Sequence, residues 1–451
     1  MPDQDLGKLL EARLGQVFGH AVTVEGLRRL SGGASRETWA FAVTGGGEPR
    51  RLVLRRDPPG HGRPASMARE GAAIAAAAEE GVPVPPLVDL NTDPDVLGSP
   101  YLITEFVGGE TIARRLLRDE QYAAVRPTLA AEFGRVLARL HRIPLRNVPG
   151  LERPDSLDAL QARYDALADP SPAVEIGLRW LRRNRPDPVP DTVVHGDFRN
   201  GNLIISPAGL RAVLDWELVH VGDPRADLGW LCVKAWRFGS APHVGGFGDR
   251  EALLDGYAEV AGERPDPEAV RWWEVFGVVW WAVGCRGQAE RHLAGETRSV
   301  ELAAIGRRVC EQEHDLLLAL GVPAPSIPEP PAAPPHSDLH GHPTLGELVE
   351  ATEGFLRDEV MKVDDPRLAF QGRVAANVLG IVARELAQGA ALEREHRERL
   401  AALGVPDTAA FAAGIRDGSI DADDPATLRA VRDMVTARLS IANPKYLTYP
   451  G

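Results

Sequence analysis

Cysteine is scarce in this sequence, with three residues among 451. Cys232, Cys285 and Cys310 are isolated, odd in number and without the paired spacing of a zinc site. A disulfide framework and a structural zinc site are therefore both disfavoured. This pattern fits a reducing compartment, and we expect the protein to be cytoplasmic.

Long apolar runs are also missing. The longest covers residues 272–285, about 14 residues against the roughly 20 that a membrane-spanning helix needs, and Glu274 interrupts it. This run predicts a buried helix. The amino-terminal residues show neither the basic nor the apolar segment of a signal peptide. We therefore expect no signal peptide and no membrane association.

Positive charge is not concentrated in a stripe, and the formal net charge is -13. This balance disfavours a general nucleic-acid binder, because such proteins need basic surface for the phosphate backbone. With 44% hydrophobic and 25% charged residues, the composition is that of a globular protein of two or three domains.

The most informative feature present is the segment His195-Gly196-Asp197-Phe198-Arg199-Asn200-Gly201-Asn202, followed by Asp215. Apolar, β-branched runs at 192–194, 203–205 and 211–214 predict short strands around it. A turn at 207–209 separates the last two strands, so Asp197, Asn202 and Asp215 can face one cleft.

These side chains suit phosphoryl transfer. That reaction needs a metal ion on the phosphates, a carboxylate that accepts a hydroxyl proton and positive charge on the moving group. Asn202 and Asp215 offer the hard oxygen ligands that Mg²⁺ takes, and Asp197 suits the base. The alternative is that an Asp-rich loop between strands is only a solvated turn.

The spacing resembles the catalytic and metal segments of the aminoglycoside phosphotransferase and choline kinase-like superfamily, which are relatives of protein kinases. The resemblance implies an α+β fold of two lobes, a β-rich N-lobe and a mainly helical C-lobe. It also implies ATP and Mg²⁺ as cofactors, with His195, Asp197 and Asn202 as the catalytic segment.

The same resemblance implies a phosphate-binding loop, a cationic strand residue and a helix glutamate upstream. Arg55 stands where the family normally has a lysine, Arg56 points to the other face of the strand, and Glu70 is placed to pair with Arg55. The phosphate loop could equally be a plain hairpin turn. Its residues are Ser31, Gly32, Gly33, Ala34 and Ser35.

A β-rich run at 101–107 followed by Gly108 and Gly109 resembles the kinase hinge. Backbone groups of Glu105, Phe106 and Val107 would bind the adenine edge. Downstream, Asp227 matches the family's second aspartate, which we interpret as a structural support of the catalytic loop.

Residues 52–60 resemble the kinase-like domains fused to acyl-CoA dehydrogenases more than the antibiotic kinases. The helix after residue 272 continues into Arg286, Arg291 and His292, a cationic group. This charge favours an anionic or acyl-bearing acceptor, such as a hydroxyacyl-CoA, over a polycationic aminoglycoside.

The predicted domains are an N-lobe at 1–107, a C-lobe at 108–321, a Pro-rich linker at 322–343 and a helical domain at 344–451. Apolar residues at helical spacing predict helices at 344–361, 367–389, 392–403 and 424–440. The last region resembles a small domain of unknown function that accompanies some bacterial kinases. We expect it to serve homodimerisation or docking of a protein partner.

The sequence therefore predicts a kinase that transfers the γ-phosphate of ATP to a hydroxyl of a small molecule. Two alternatives stay open. One is an aminoglycoside or macrolide phosphotransferase. The other is a pseudokinase scaffold that binds nucleotide without turnover because Arg55 replaces the lysine.

Overall fold

The computed structural model describes residues 3–30, 36–154, 156–327 and 340–450. The chain forms two compact units, each assembled from separate stretches of sequence. The first unit comprises Met1–Pro154, Asp187–Cys232 and Pro242–Val270, and the second comprises Asp155–Pro186, Val233–Ala241 and Arg271–Gly451.

An antiparallel five-stranded sheet forms one part of the first unit, with strand order β1-β2-β3-β5-β4. Two pairs of short strands form the rest of its β-structure, β6 with β9 and β7 with β8. The strands are β1 Thr23–Arg29, β2 Glu37–Thr44, β3 Arg50–Arg56, β4 Leu87–Asn91, β5 Tyr101–Glu105, β6 Thr192–Val194, β7 Leu203–Ser206, β8 Gly209–Val213 and β9 His220–Gly222.

Helices pack around these strands in the first unit. They are α1 Asp3–Phe18, α2 Pro64–Glu79, α3 Pro94–Leu97, α4 Ala113–Arg118, α5 Arg126–Leu140, α8 Arg225–Cys232 and α9 Arg250–Ala261. Leu6, Leu10 and Leu14 of α1 lie in one buried cluster with Phe41 and Leu54 of the sheet. Their spacing of four residues places all three leucines on one face of the helix, and burying that face anchors α1.

The second unit is helical. Its helices are α6 Leu157–Ala166, α7 Pro172–Arg183, α10 Pro267–Leu293 (whose first turn belongs to the first unit), α11 Val300–Gly306, α12 Val309–Ala319, α13 Leu345–Asp358, α14 Pro366–Ala402, α15 Thr408–Asp417 and α16 Pro425–Ala442. The buried helix expected at 272–285 is the middle of α10, and Trp272, Val275 and Val279 are buried there. Glu274 is buried as well, and Arg237 donates to it over 3.0 Å.

One difference from the predicted helices lies in α14. The segments predicted at 367–389 and 392–403 form a single helix of 37 residues. Gly389 lies inside this helix, since an interior glycine costs only about 1 kcal/mol relative to alanine. No proline occurs at this point of the sequence, so the hydrogen-bond ladder continues. The predicted α+β fold class is confirmed.

Helix α12 carries a run of buried polar residues that is unusual for a core helix. Glu313 accepts hydrogen bonds from Arg438 over 2.8 and 3.0 Å, and Asp315 accepts from Lys234 over 3.0 Å and from the Tyr446 hydroxyl over 2.6 Å. Buried carboxylates need such partners, because an unpaired buried charge costs several kcal/mol. Helix α16 and the segment after it therefore supply a guanidinium and a hydroxyl that bond the carboxylates of α12.

An apolar cluster joins the carboxy-terminal helices to the earlier ones in this unit. Phe411 and Ile415 of α15 and Val435 of α16 share one buried cluster with Ile176 of α7 and Leu317 of α12. The helices on either side of the predicted linker thus form one core, although residues 328–339 lie outside the described part of the chain. No helix within the described ranges is both long and apolar enough to cross a bilayer.

Replacing Phe411 with alanine tests this shared core. We expect Phe411→Ala to lower the free energy of unfolding by about 3–5 kcal/mol, because it removes a fully buried aromatic ring and leaves a cavity. Hydrogen exchange should accelerate in α7 and α12 as well as in α15. Leu293→Ala, at an exposed position, is the matched control and should change stability little. Faster exchange confined to α15 would contradict a common core.

Candidate active site

The backbone of the segment His195–Gly196 is held by a buried carboxylate. Asp227, near the start of α8, accepts hydrogen bonds from the backbone N–H groups of His195 over 2.8 Å and Gly196 over 2.9 Å. Burial would raise the pKa of Asp227, but the hydrogen bonds from the His141 ring and from the His195 backbone N–H help to lower it. The structural support expected from Asp227 is present.

His195 itself is fully buried behind this turn. Its Nε2–H donates to the backbone oxygen of Leu214 over 3.1 Å, and its Nδ1 accepts from the backbone N–H of Asp197 over 3.1 Å. Burial lowers the pKa of the imidazole, which favours the neutral ring. With both ring nitrogens bonded to backbone, His195 fixes the position of Asp197 and of the strand end before Asp215.

Gly196 is required between these two residues. Its φ of 80° lies in the left-handed region, and a Cβ there would lie 2.6 Å from the backbone oxygen of Leu218. The glycine lets the chain reverse direction, so that the His195 ring is buried while the Asp197 carboxylate contacts Asn202, Arg199 and Trp230.

Asp197 lies at the centre of a hydrogen-bond cluster. Its Oδ2 accepts from the Asn202 amide over 2.6 Å, and its Oδ1 accepts from Arg199 over 2.8 Å and from the Trp230 indole over 2.9 Å. The backbone N–H of Leu214 donates to the oxygen of Asn202 over 2.7 Å. The loop that carries Asp197 and Asn202 is thereby tied to the strand that leads to Asp215.

Asp215 follows β8 in the left-handed conformation, with φ of 65° and ψ of 63°. Aspartate is one of the few non-glycine residues that adopt this conformation readily. Its Oδ1 accepts from Arg55 Nη2 over 2.7 Å. Burial would raise the pKa of this carboxyl, but the Arg55 guanidinium outweighs burial and keeps Asp215 ionised.

Arg55 joins Asp215 to the helix glutamate. Its Nη1 donates to Glu70 over 2.7 Å, so the ion pair expected between Arg55 and Glu70 is present. Glu70 is fully buried and also contacts the guanidinium of Arg36, which in turn donates to Asp57 over 3.0 Å. Burial lowers the pKa of Arg36, and the nearby Arg55 adds to this effect.

Three of these residues were not predicted to act at the site. Arg36 and Asp57 complete the buried charge network, and Trp230 donates to Asp197. Arg36 directly follows the predicted phosphate loop, and that position was the only sequence signal available for it. Arg56, by contrast, lies on the other face of β3 as expected, where it pairs with Glu37 over 2.8 Å.

The predicted hinge follows β5. Phe106 donates its backbone N–H to the oxygen of Arg51 over 2.9 Å, and the Arg51 guanidinium lies 3.8 Å from the Phe106 ring centroid. Glu105 directs its side chain to Arg50 over 2.7 Å, on the surface. The side chains of Glu105 and Phe106 thus contact β3, and nucleotide binding by the backbone at 105–107 stays a prediction.

The predicted phosphate loop, Ser31, Gly32, Gly33, Ala34 and Ser35, lies outside the described residues. The residues that flank it are described. The backbone N–H of Leu30 donates to the oxygen of Thr38 over 2.8 Å, and β1 pairs with β2. The loop therefore connects two adjacent antiparallel strands.

The metal ligands predicted at Asn202 and Asp215 can be judged from the donor groups. The amide nitrogen of Asn202 donates to Asp197, so the amide oxygen of Asn202 points away from Asp197. One amide oxygen and one ionised carboxylate are the ligand types that Mg²⁺ takes together with phosphate oxygens. Within the described ranges, no cluster of three or more His, Cys, Asp or Glu side chains could hold a metal by itself.

The sheet, the catalytic segment and the Arg55–Glu70 pair are together the features of a kinase-like phosphotransferase. The sequence pattern of the family described as "Phosphotransferase enzyme family" matches residues 26–273, so the chain belongs to this family. A second pattern, a domain of unknown function (DUF6285), matches residues 362–446. The resemblance inferred from the motifs is confirmed.

Two curated relatives and one solved structure illustrate the similarity. Acyl-CoA dehydrogenase family member 10 from Mus musculus is 32% identical over 276 residues, which cover 58% of this chain and 25% of that protein. Acyl-CoA dehydrogenase family member 11 from Gallus gallus is 34% identical over 224 residues, covering 45% of this chain and 27% of the relative. This chain therefore spans about a quarter of each.

The structure is that of a candidate aminoglycoside phosphotransferase from Ralstonia eutropha. It superposes with a TM-score of 0.55 at 24% identity and covers 70% of this chain and 98% of its own. At this level of identity the likeness shows the fold, and it confirms the predicted kinase-like fold.

The buried, neutral His195 predicts a specific pH dependence. Its pKa is lowered in the folded protein, so the unfolded chain binds a proton that the folded chain does not. The free energy of unfolding of the first unit should fall as the pH drops below about 6.5, with a slope of at most about 1.4 kcal/mol per pH unit from this residue.

The comparison of wild type with His195→Gln isolates this effect, because glutamine cannot take up the proton. Chemical denaturation followed between pH 4.5 and pH 8, read on the first unit, gives the slope. His314→Gln is the matched control, since burial also lowers the pKa of His314, to about 4, but in the second unit. An unchanged slope in His195→Gln would show that His195 is protonated in the folded protein.

Proposed function

We propose that this protein transfers the γ-phosphate of ATP to a hydroxyl group of a small molecule. The observation that carries the proposal is the cluster in which Asp197 bonds Asn202 while Asp215 bonds Arg55. Phosphoryl transfer requires a general base, oxygen ligands for a metal ion and a cation, and this cluster offers all of them within one unit.

In the proposed reaction, the acceptor oxygen attacks the γ-phosphorus and the bond between that phosphorus and the β–γ bridging oxygen breaks. Asp197 accepts the hydroxyl proton, and ADP leaves with the bridging oxygen. The contacts from Arg199 and Trp230 to Oδ1 orient the carboxylate, so that its proton-accepting oxygen has a fixed direction.

Asn202 and Asp215 would hold Mg²⁺, which when bound neutralises charge on the phosphates. Arg55 keeps Asp215 ionised before a metal arrives, and Glu70 keeps Arg55 in place. Because the guanidinium has five N–H donors in a plane, Arg55 can keep its contacts with Glu70 and Asp215 and direct a further N–H toward a phosphate oxygen.

For the acceptor, we propose a hydroxyacyl-CoA or a related acyl-bearing metabolite. The support is that the two relatives described above are acyl-CoA dehydrogenase family members. The cationic residues at the end of α10 support an acyl-bearing acceptor less than the sequence suggested, because two of them have partners within the chain. Arg286 pairs with Asp169 over 2.7 Å, and Arg291 bonds Gln288 over 3.0 Å.

A panel of acceptors tests the activity and its substrate class together. We expect ADP release with Mg²⁺-ATP and a hydroxyacyl-CoA, and a decrease of 10²- to 10⁴-fold in kcat for Asp197→Asn, because the general base is lost. Asp158→Asn, an exposed position on α6, is the matched control and should keep full activity. Turnover on aminoglycosides or macrolides instead would replace the acyl acceptor by an antibiotic.

Arg55→Lys distinguishes an enzyme from a scaffold. A single ammonium cannot keep the two 2.7 Å contacts that the two guanidinium nitrogens make, so we expect weaker nucleotide binding and a kcat at least about tenfold lower. ATP affinity by calorimetry and ADP release are the measurements. Arg56→Lys, on the opposite face of β3, is the control. A large gain of activity in Arg55→Lys would favour a pseudokinase whose lysine was lost.

A further inference from the structure

The helical hairpin formed by α13 and the first half of α14 exposes an unusual amount of apolar surface. Eight of the sixteen large hydrophobic side chains that are exposed in the described chain lie between residues 345 and 386. The other eight are scattered over the remaining sequence. The hairpin group consists of Leu345, Leu348, Phe355, Val363, Leu368, Phe370, Val382 and Leu386.

Helix α13 contains no buried residue, although its apolar residues recur at helical spacing. Leu345, Leu348 and Phe355 are 61%, 51% and 58% exposed. An amphipathic helix of 14 residues gains most of its stability by burying its apolar face, and α13 buries little of its own within this chain. The hairpin thus has an apolar face that is left largely uncovered within the described chain.

The exposed apolar area matches what a stable dimer needs. Without Phe370, which lies about 200° around α14 from Leu368, the other seven side chains expose roughly 600 Å², and a standard protein interface buries about 800 Å² on each partner. Exposed apolar patches beyond a few hundred Å² mark interaction sites in soluble proteins. Leaving this apolar surface exposed to water would be unfavourable in free energy.

The charges on the hairpin favour a second copy over an unrelated partner. Helix α13 carries four acidic residues and one arginine, a net charge of -3. Residues 366–386 of α14 carry three arginines and one acid, Glu385, a net charge of +2. Within the described chain no ion pair joins the two helices, and those of α13 are with neighbours in sequence, such as Arg357 with Glu353.

A surface with negative charge on one helix and positive charge on the next can be complementary to a second copy of itself after a twofold rotation. The acidic helix of one copy then meets the basic helix of the other, and the reverse pairing occurs on the other side of the axis. Two antiparallel hairpins placed in this way make a four-helix bundle, in which the apolar stripes lie at the centre.

We propose that two copies of this chain associate through α13 and residues 366–386 of α14 to form a four-helix bundle. The dimer contact uses residues that the proposed phosphotransfer does not, so it can be tested independently of activity.

The oligomeric state of the full chain tests the proposal directly. We expect analytical ultracentrifugation and light scattering to give a discrete dimer, and a melting temperature that rises with protein concentration. The double variant Leu348→Glu/Phe355→Glu places four carboxylates at the centre of the bundle and should dissociate the dimer by at least 100-fold in Kd. Both positions are exposed in the single chain, so the monomer should keep its fold.

Leu293→Glu is the matched control, because Leu293 is a 67% exposed leucine outside the hairpin. Hydrogen exchange at residues 345–358 gives a second measurement. Protection there should increase with concentration in wild type and in Leu293→Glu, but not in the double variant. A monomer at concentrations up to about 100 µM, where micromolar complexes assemble, would overturn the proposal. Equal loss of the dimer in Leu293→Glu would overturn it as well.

Discussion

The hydrogen bonds that Asp227 accepts from the backbone of His195 and Gly196 are the constraint on which the candidate active site depends. They fix a turn in which the buried imidazole of His195 and the carboxylate of Asp197 follow each other within three residues. His195 then transmits this position to Leu214, one residue before Asp215. Loss of the Asp227 carboxylate would release both halves of the site, because the proposed base, Asp197, and the proposed metal ligand, Asp215, share this anchor.

The polar residues of the site could be predicted from sequence because the chemistry restricts their types and their local spacing. Asp197, Asn202 and Asp215 lie within 19 positions, and short strands fix their directions. Arg36 and Trp230 could not be predicted in this way, since tertiary packing alone brings them to Glu70 and Asp197. An arginine or a tryptophan in isolation carries no signal for such a contact.

The fold, like the site, could be predicted from the sequence only in part. Apolar, β-branched runs predicted the strands at 192–194, 203–205 and 211–214, and the structure has them at Thr192–Val194, Leu203–Ser206 and Gly209–Val213. The sequence did not predict which helices pack against each other. The contacts of Ile176 and Leu317 with Phe411 connect residues more than 90 positions apart, and helical periodicity shows only that each face is apolar, not which helix it meets.

The buried carboxylates of α12 have a consequence for the order of folding during synthesis. Glu313 pairs with Arg438, 125 residues later, and Asp315 pairs with Tyr446. At about 5–20 residues per second, a ribosome needs roughly 6–25 seconds to make that stretch. Until then Glu313 lacks the guanidinium of Arg438, whereas Ser171, which donates to Glu313, and Lys234, which donates to Asp315, have already been made. The charge of Glu313 is therefore balanced by a cation only after α16 has been synthesised.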